Sequence, residues 1–273
     1  MNKFNDKLFS IITIVKNGDK TIQRCIDSVI NQDYKKIEYI IVDGGSTDLT
    51  KDIIIKNNQF INKWISEIDS GTSDAVNKGL KMANGSYVLL LSCDDFLPKN
   101  FVTMAIEHFL TSDADVVFGD LIYMDQKNSL VFRQIGDKDF NLSINYRLPL
   151  LNTPSCVIKA KVYKEIGFLN EDCKYANDYE LLFRIFLSGY KFSYCTSLYI
   201  YHYLGGSSSK YYLKSQFEVC KIAIKLGKSY FKAPLYMLWA ILRRVIRNLL
   251  LILLHKQITD RILAIVRKNY QKK

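Results

Sequence analysis

The chain of 273 residues lacks several patterns that would assign it to common protein classes. Its six cysteines form no CxxC pair and no metal-type spacing, so we expect them to be reduced, small apolar side chains of a cytosolic protein. The GxGxxG motif is absent, which excludes the usual dinucleotide-binding fingerprint. Internal repeats and low-complexity segments are absent as well. What remains is a globular chain long enough for one large domain or two small ones.

No segment predicts a signal peptide or a membrane span. The apolar stretch Phe9–Val15 is short, has no small-residue cleavage site and runs directly into Lys16. The apolar region near the C-terminus is interrupted by Arg243, Arg244 and Arg247, and its uncharged runs are far shorter than the roughly 20 residues that cross a bilayer. We therefore expect the bulk of the chain to stay in the cytoplasm.

The net charge of +11 is concentrated in the C-terminal tail. Residues 221–273 contain thirteen Lys and Arg but one acid, Asp260, whereas the rest of the chain has 25 basic and 26 acidic residues. On a helix the three arginines of the tail would cluster and leave a broad apolar face. This pattern predicts an amphipathic helix that lies on the anionic inner face of the cytoplasmic membrane. Packing against the domain, or against a second copy in a homo-oligomer, is the alternative.

Short apolar runs alternate with helical patterns over the first half, which is typical of a parallel sheet covered by helices on both faces. The predicted strands are 9–15, 37–42, 64–68, 87–91 and 116–121. The predicted helices are 20–31, 48–57, 74–83 and 100–110. After about residue 125 the alternation is less regular, with candidate elements at 155–158, 178–187 and 191–194. The sequence therefore predicts an α/β fold.

Polar residues that directly follow the apolar runs are candidates for a binding site, because parallel strands bring their carboxyl ends to one edge of the sheet. After the second run, Gly44 and Gly45 permit a tight turn and leave Asp43 at the strand tip, where it could accept hydrogen bonds from a base or a ribose. Ordinary turn chemistry is the competing interpretation.

Two adjacent acids, Asp94 and Asp95, follow the apolar run 87–91. Adjacent carboxylates repel each other unless a cation lies between them and a ligand. Mg²⁺ and Mn²⁺ suit such a site, since they accept one or two carboxylates together with phosphate oxygens. A surface turn before Pro98 is the simpler alternative.

Later in the chain, Asp178 and Glu180 begin an amphipathic helical pattern. Asn177 or Asp178 could serve only as the helix N-cap. A carboxylate at this position could also accept a proton from a hydroxyl group. His202 stands among tyrosines, which favours a packing role over metal ligation.

Several segments together resemble the inverting family 2 glycosyltransferases with a GT-A fold, in particular bacterial enzymes of polysaccharide and lipopolysaccharide assembly. These segments are FSIITIVKNG, IEYIIVDGGSTDLT, SEIDSGTSDAVNKGL, GSYVLLLSCDD and GFLNEDCKYANDYELLFR, within residues 9–203. The resemblance implies a mostly parallel, Rossmann-like sheet. It also implies a GT-A domain over 1–230, with a nucleotide-sugar half at about 1–125 and an acceptor half at about 126–230, followed by the amphipathic tail 231–273.

The implied reaction is metal-dependent and inverting. It moves a sugar from a nucleotide sugar, most simply a UDP-sugar, to a hydroxyl of a lipid-linked, lipopolysaccharide or capsule saccharide. Asp178 would be the general base, and Asp95 with Asp94 would bind Mn²⁺ or Mg²⁺. The donor-binding residues that the resemblance implies are Thr13, Val15, Asn17, Asp43, Asp69, Asp74, Asn77, Lys78 and Asp94. Ser92-Cys93 and Thr72-Ser73 depart from the pattern of close relatives, which leaves the donor sugar open.

Two other functions stay open at this point. A sugar-phosphate nucleotidyltransferase would share the sheet and the metal-binding acids, but the region near the N-terminus has no triphosphate loop rich in glycine and arginine. A non-enzymatic nucleic-acid-binding protein would use the basic tail. The basic residues there alternate with long aliphatic side chains, which suits a lipid surface better than nucleic acid.

Overall fold

The computed structural model describes residues 7–125, 129–138, 144–145, 153–203 and 211–253. Eight strands in these residues form one sheet with the order β3-β2-β1-β4-β7-β5-β6, and β8 pairs with β5. The strands are β1 (Phe9–Val15), β2 (Ile37–Asp43), β3 (Lys63–Ser66), β4 (Tyr87–Ser92), β5 (Val116–Met124), β6 (Leu130–Gln134), β7 (Val157–Lys159) and β8 (Phe192–Tyr203).

The sheet is mostly parallel, which confirms the predicted α/β fold. Strand β1 pairs in parallel with β2 and β4, β2 with β3, and β5 with β8. Only β7, between β4 and β5, and β6, beside β5, run antiparallel to their neighbours in the described sheet. Strands β1 and β2 are buried almost throughout, as expected for strands with helices on both faces.

Helices cover both faces of the sheet and divide the core into two layers. The helices are α1 (Ile22–Ile30), α2 (Thr50–Lys56), α3 (Thr72–Met82), α4 (Phe101–Thr111), α5 (Ala160–Ile166), α6 (Asn177–Leu187), α7 (Tyr212–Lys225) and α8 (Lys232–Leu253). One layer contains the buried faces of α1 and α4, and the other contains those of α3, α6 and α7. Each layer buries the opposite face of the strands because successive side chains alternate.

Some predicted boundaries are wrong. The strand predicted at 64–68 ends at Ser66, and Ile68 is 83% exposed. The amide of Glu67 still donates to the carbonyl of Asp43 at 3.0 Å. The chain then leaves the sheet, and the backbone of Ile68 lies against Gly45. Strand β8 extends far beyond the predicted 191–194, and the prediction missed β6, α5 and α7, whose sequence patterns are short or irregular.

Helix α8 packs on α7 through one side but leaves much of its apolar surface exposed. The hydroxyl of Tyr212 donates to the carbonyl of Ala240 at 3.0 Å, and the guanidinium of Arg244 lies 4.0 Å from the centre of the Tyr212 ring. Exposed apolar side chains include Leu235, Leu238, Trp239, Leu242, Val245, Ile246 and Leu249. No helix in the described part of the chain combines the length and apolarity needed to cross a membrane. Residues 254–273 of the predicted tail lie outside the described residues.

A buried carboxylate near the amino ends of the strands joins β1, β2 and β3 to the residues that follow α3. Glu38 accepts hydrogen bonds from Ser10 Oγ at 2.6 Å, Lys63 Nζ at 2.8 Å, and both the backbone and side-chain nitrogens of Asn84 at 2.7 Å. Burial alone raises the pKa of Glu38, but these donors outweigh it and the pKa lies below its ordinary value. The ionised form therefore stabilises the fold.

We expect Glu38→Gln to lower the free energy of unfolding by about 2–4 kcal/mol at pH 7, because buried donors lose their charged acceptor. Since the pKa of Glu38 is lowered in the folded state, this stabilisation is present above the unfolded value of 4.5 and is lost as the pH falls through the folded pKa. Urea unfolding at several pH values checks this. Glu107→Gln, at an exposed position of α4, is the control; a loss as small as the control's would contradict the prediction.

Candidate active site

The carboxyl ends of β1, β2 and β4 meet at one edge of the sheet and bring most of the predicted site residues together. In the parallel ladders Val15 pairs with Asp43, and Ile14 pairs with Ser92. The loops that carry Asn17, Asp43 and the two acids Asp94 and Asp95 therefore leave the sheet side by side. The sequence prediction that these polar positions share an edge agrees with this arrangement.

The loops after β1 and β2 are joined by hydrogen bonds. The amide of Asn17 donates to Ser46 Oγ at 2.7 Å, and the amide of Thr47 donates to Asn17 Oδ1 at 2.9 Å. The amide of Gly18 donates to Thr50 Oγ1 at 2.8 Å. Asn17 has a φ of 54°, in the left-handed region that asparagine tolerates better than most residues. The two loops thus form one wall of the site.

Asp43 does not point outward from the strand tip as expected. Its side chain is fully buried and accepts a hydrogen bond from Ser66 Oγ at 2.6 Å. The backbone amide of Ser46, at 3.2 Å, and its hydroxyl donate to the same carboxylate. The donors in the turn after β2 and at the end of β3 hold this carboxylate inward.

Thr13 and Val15 lie beneath this edge. Both are buried, and the hydroxyl of Thr13 lies 3.2 Å from the hydroxyl of Tyr39 and 3.6 Å from the sulfur of Cys25. Their side chains therefore belong to the layer that supports the loops.

The loop after β3 and the first turns of α3 carry a cluster of charged residues beside Gly44. Lys78 Nζ lies 2.8 Å from Glu67 Oε1 and 3.2 Å from Asp74 Oδ2. Asp69 lies against the Gly44 backbone so closely that a Cβ on Gly44 would lie 2.0 Å from its Oδ2. Only glycine therefore lets Asp69 reach the second loop. The hydrogen bond that Lys78 donates to Glu67 is the largest cause that raises the pKa of Lys78, so Lys78 stays charged.

Asn77 connects α3 to the second half of the chain. It is buried, its side-chain amide donates to the Leu169 carbonyl at 2.9 Å, and its Oδ1 accepts from the Leu169 amide at 2.9 Å. Ser73, one turn earlier, accepts a hydrogen bond from the side chain of Asn177 at 3.0 Å. These contacts bring the start of α6 beside the start of α3. Both polar groups of the Asn77 side chain are hydrogen-bonded to Leu169, so Asn77 joins the two halves of the chain.

Asp95 is fully buried next to a histidine from the end of β8. Its Oδ1 lies 2.6 Å from His202 Nδ1, and its buried Oδ2 has no hydrogen-bond partner among the described residues. Burial raises the pKa of Asp95, against the opposing effect of His202. Burial lowers the pKa of His202, but the hydrogen bond and charge of Asp95 outweigh it, so that the pKa lies above its ordinary value. His202 therefore does more than pack among tyrosines, because it also pairs with the buried carboxylate of Asp95.

These residues fit a divalent cation. The described residues contain no group of three or more His, Cys, Asp and Glu side chains arranged around a metal position. However, the partnerless Oδ2 of Asp95 and the half-buried carboxylate of Asp94 are hard oxygen donors. Mg²⁺ and Mn²⁺ commonly bind one or two carboxylates and take their other ligands from phosphate and water. His202 would orient Asp95 through the hydrogen bond to its other oxygen.

Asp178 lies in the first turn of α6 and is not the N-cap, a position that Ala176 occupies without a side-chain cap. Its carboxylate accepts no hydrogen bond from the described residues. Burial raises the pKa of Asp178 to about 6. The residue as a whole is only half-buried, so this position lies close to the surface. Such a group is suited to accept a proton near neutral pH.

The sheet order and the acids at its edge define an α/β protein with the GT-A fold of glycosyltransferases. The model of glycosyl transferase family 2 matches residues 10–167, more than half of the chain. The chain therefore belongs to glycosyl transferase family 2, as its motifs indicated.

Curated relatives agree with this family. Glycosyltransferase GlyG of Streptococcus pneumoniae is 26% identical over 226 residues, which cover 74% of this chain and 72% of GlyG. An uncharacterised glycosyltransferase of Rickettsia typhi is 32% identical over 185 residues, which cover 65% of this chain but 58% of that protein. The chain is thus shorter than several of the proteins that it matches.

Solved structures support the fold at lower identity. The structure of S. aureus TarS 1–349 in complex with UDP-GlcNAc has a TM-score of 0.65 at 22% identity, covering 82% of this chain and 67% of that chain. The mannosyltransferase PcManGT of Pyrobaculum calidifontis, in complex with GDP-Man and Mn²⁺, has a TM-score of 0.61 at 18% identity, covering 82% and 66%. At these identities the likeness concerns the fold alone.

We expect His202→Ala to lower the free energy of unfolding by about 2–3 kcal/mol, because it leaves the buried Asp95 carboxylate without its donor. His108→Ala is the matched control, since His108 Nε2 lies 2.8 Å from a neutral hydroxyl group, Ser193 Oγ, and its loss should cost about 1 kcal/mol. Urea unfolding in EDTA measures both. Adding Asp95→Asn to His202→Ala should recover part of the loss. Equal losses of unfolding free energy in His202→Ala and His108→Ala would contradict the role of His202.

Proposed function

We propose that the protein is a metal-dependent, inverting glycosyltransferase that moves a sugar from a nucleotide sugar to a hydroxyl of a saccharide acceptor. The observation that carries this proposal is that a family 2 chain contains two carboxylates, Asp95 and Asp178, in two different environments. Asp95 has a buried oxygen without a partner, next to Asp94 at the sheet edge. Asp178 has a desolvated carboxylate with a raised pKa, at the start of α6.

The donor is proposed to be a UDP-sugar, which is the ligand named for TarS. Its nucleotide would lie against the wall formed by the loops after β1 and β2, with Thr13 and Val15 beneath it and Asn17 and Asp43 beside the base. Asp69, Asp74 and Lys78 would line the ribose, diphosphate and sugar. Lys78 is held by Glu67 and Asp74, so its ammonium group has a fixed position for a phosphate. Asn77 would contribute by holding α3 in place.

The chemistry needs a proton acceptor and a stabilised leaving group. Asp178 would accept the proton of the acceptor hydroxyl while that oxygen attacks the anomeric carbon from the face opposite the nucleotide, which inverts the configuration. The bond to the diphosphate breaks in the same step, and Lys78 adds positive charge beside it. Mn²⁺ or Mg²⁺ bound by Asp95 and Asp94 would neutralise the negative charge that develops on the diphosphate.

We expect Asp178→Asn to reduce transfer by about 100-fold or more while donor affinity stays within about twofold, because the amide cannot accept the proton. Radiolabelled sugar transfer and calorimetric donor titration measure the two quantities. Asp172→Asn, at an exposed position of the preceding loop, is the control. Full transfer by Asp178→Asn would refute the proposed base.

The same assignment predicts the pH dependence of the wild-type protein. Because Asp178 acts as a base when it is ionised, kcat/KM should rise with pH up to about 6 and level off above it. Below that value the rate should fall about tenfold per pH unit.

We expect Mn²⁺ or Mg²⁺ to raise the melting temperature of the protein in the presence of its nucleotide sugar, since a ligand of the native state increases its stability. A panel of UDP- and GDP-sugars, with and without metal, identifies the donor. Asp95→Asn should lose the metal-dependent increase and keep the increase caused by the nucleotide alone. Asp113→Asn, at an acid on the surface beside Lys191, is the control. A metal effect that survives in Asp95→Asn would contradict the metal site.

The acceptor is proposed to be a lipid-linked saccharide, lipopolysaccharide or capsule precursor at the cytoplasmic face of an anionic membrane. The exposed apolar side chains of α8, together with the basic residues of the tail, are the features that favour this surface. Docking there would raise the local concentration of an acceptor confined to the membrane.

We expect the double variant Leu238→Gln, Leu242→Gln to lose most binding to vesicles that contain phosphatidylserine, because two exposed apolar contacts are removed. Transfer to a soluble acceptor analogue should stay unchanged. Leu130→Gln, at an apolar position of β6 that is 64% exposed, is the control. Vesicle sedimentation measures the binding, and unchanged binding of the double variant would remove α8 from the proposal.

A further inference from the structure

The loop that precedes α6 is held by a carboxylate from a later helix. Glu218 of α7 accepts hydrogen bonds from three consecutive backbone amides. The amide of Lys174 donates to its Oε1 at 3.0 Å, and the amides of Tyr175 and Ala176 donate to its Oε2 at 2.6 Å each. These amides come directly before α6, so one side chain fixes the entry to the helix that carries Asp178.

This carboxylate lies beside a helix start that has no side-chain N-cap. Ala176 stands at the N-cap position, and no side chain there caps the helix. The three amides that Glu218 binds come just before the first turn of α6, and the N-terminus of a helix favours a nearby negative charge. Hydrogen bonds to a charged acceptor are about twice as strong as those between neutral groups. Glu218 therefore stabilises the loop more than an uncharged acceptor would.

Glu218 is itself held firmly by the buried face of α7. The next residues on that face, Val219, Cys220, Ile222 and Ala223, are buried in the same core layer as Tyr179 and Leu182 of α6. The carboxylate therefore has a defined position relative to α6. If its hydrogen bonds are removed, α7 should stay in place while the loop 174–176 loses its anchor.

We propose that Glu218 is a positioning residue for glycosyl transfer, which keeps Asp178 aligned by holding the loop 174–176. This inference rests on the proposed function, in which Asp178 is the base. Glu218 lies beyond residues 10–167, the part of the chain that the family model matches. A displacement of about 1 Å in a reacting geometry can cost about 100-fold in rate, so a loosened loop should slow transfer without weakening donor binding.

The first test is Glu218→Gln, which keeps the size of the side chain but removes its charge and one acceptor oxygen. We expect kcat to fall about tenfold while donor affinity, measured by calorimetry, stays within about twofold. Glu165→Gln is the matched control, because it removes a carboxylate that accepts a hydrogen bond from Tyr190 at the surface of α5. Its kcat should be unchanged. An unchanged kcat for Glu218→Gln would overturn the inference.

A double variant tests whether Glu218 acts through Asp178. In the Asp178→Asn background, Glu218→Gln should leave the residual transfer unchanged, because the aligned base is already absent. A further loss of about tenfold in that background would mean that Glu218 acts independently, and would overturn the inference.

The acid limb of the pH profile separates positioning from partial unfolding. A loosened loop admits water to Asp178 and lowers its pKa, so the fall of kcat/KM at acid pH should begin below pH 6. A smaller folded fraction would lower kcat/KM without changing the pH at which this fall begins. Among the described residues, the other titratable side chains that respond to the Asp178 charge are Cys156 and Tyr163, whose pKa values are raised mainly by burial. They stay neutral over this range. A limb that does not move would overturn the inference.

The outcomes distinguish this inference from the proposed function. Loss of transfer in Asp178→Asn with normal kcat and an unmoved acid limb in Glu218→Gln would overturn the positioning role alone. Full transfer in Asp178→Asn would overturn both. Loss in each single variant, no further loss in the double variant and a limb moved to lower pH would support both.

Discussion

The buried carboxylate of Asp95 is the constraint on which the arrangement of the sheet edge depends. A charged group out of contact with water is costly unless it is paired. Here His202 pairs with one oxygen, while the other has no partner in the part of the chain that the structure describes. That pairing requires the end of β8 to reach the end of β4. The bridge between Phe96 and Tyr201 makes the same connection through the backbone. The two halves of the chain are therefore joined at the position where the resemblance implies a metal.

Around this point, the loops of the first half support one another. Hydrogen bonds between the loops after β1 and β2, and the close approach of Asp69 to Gly44, leave these backbone segments little freedom. A rigid wall of this kind reduces the conformational entropy that a bound nucleotide would have to remove. The second half contributes differently, because α6 is positioned by contacts that come from outside its own sequence. Asn77 and Ser73 approach it from α3, and Glu218 approaches it from α7.

Much of the first half could be predicted from local pattern. Strands β1 and β2 are apolar runs in the sequence because both of their faces are buried. Helix α1 has its apolar stripe at Ile22, Cys25, Ile26 and Val29. The second half was harder, since α5 is short and β8 carries polar and aromatic residues along its length. The inward orientation of Asp43 could not be predicted either, because its donors Ser46 and Ser66 come from the loop after β2 and the end of β3.

The sequence alone determined the alternation of strands and helices in the first half, the family, and the acids at the ends of β2 and β4, because hydrophobic period and strand-end position are local properties. Only the tertiary structure decided that His202 meets Asp95, that Asn77 holds Leu169, and that Glu218 holds the loop before Asp178. These pairs are separated by 107, 92 and about 43 residues along the chain. Contacts at such separations depend on how the sheet and helices pack, and no local pattern records them.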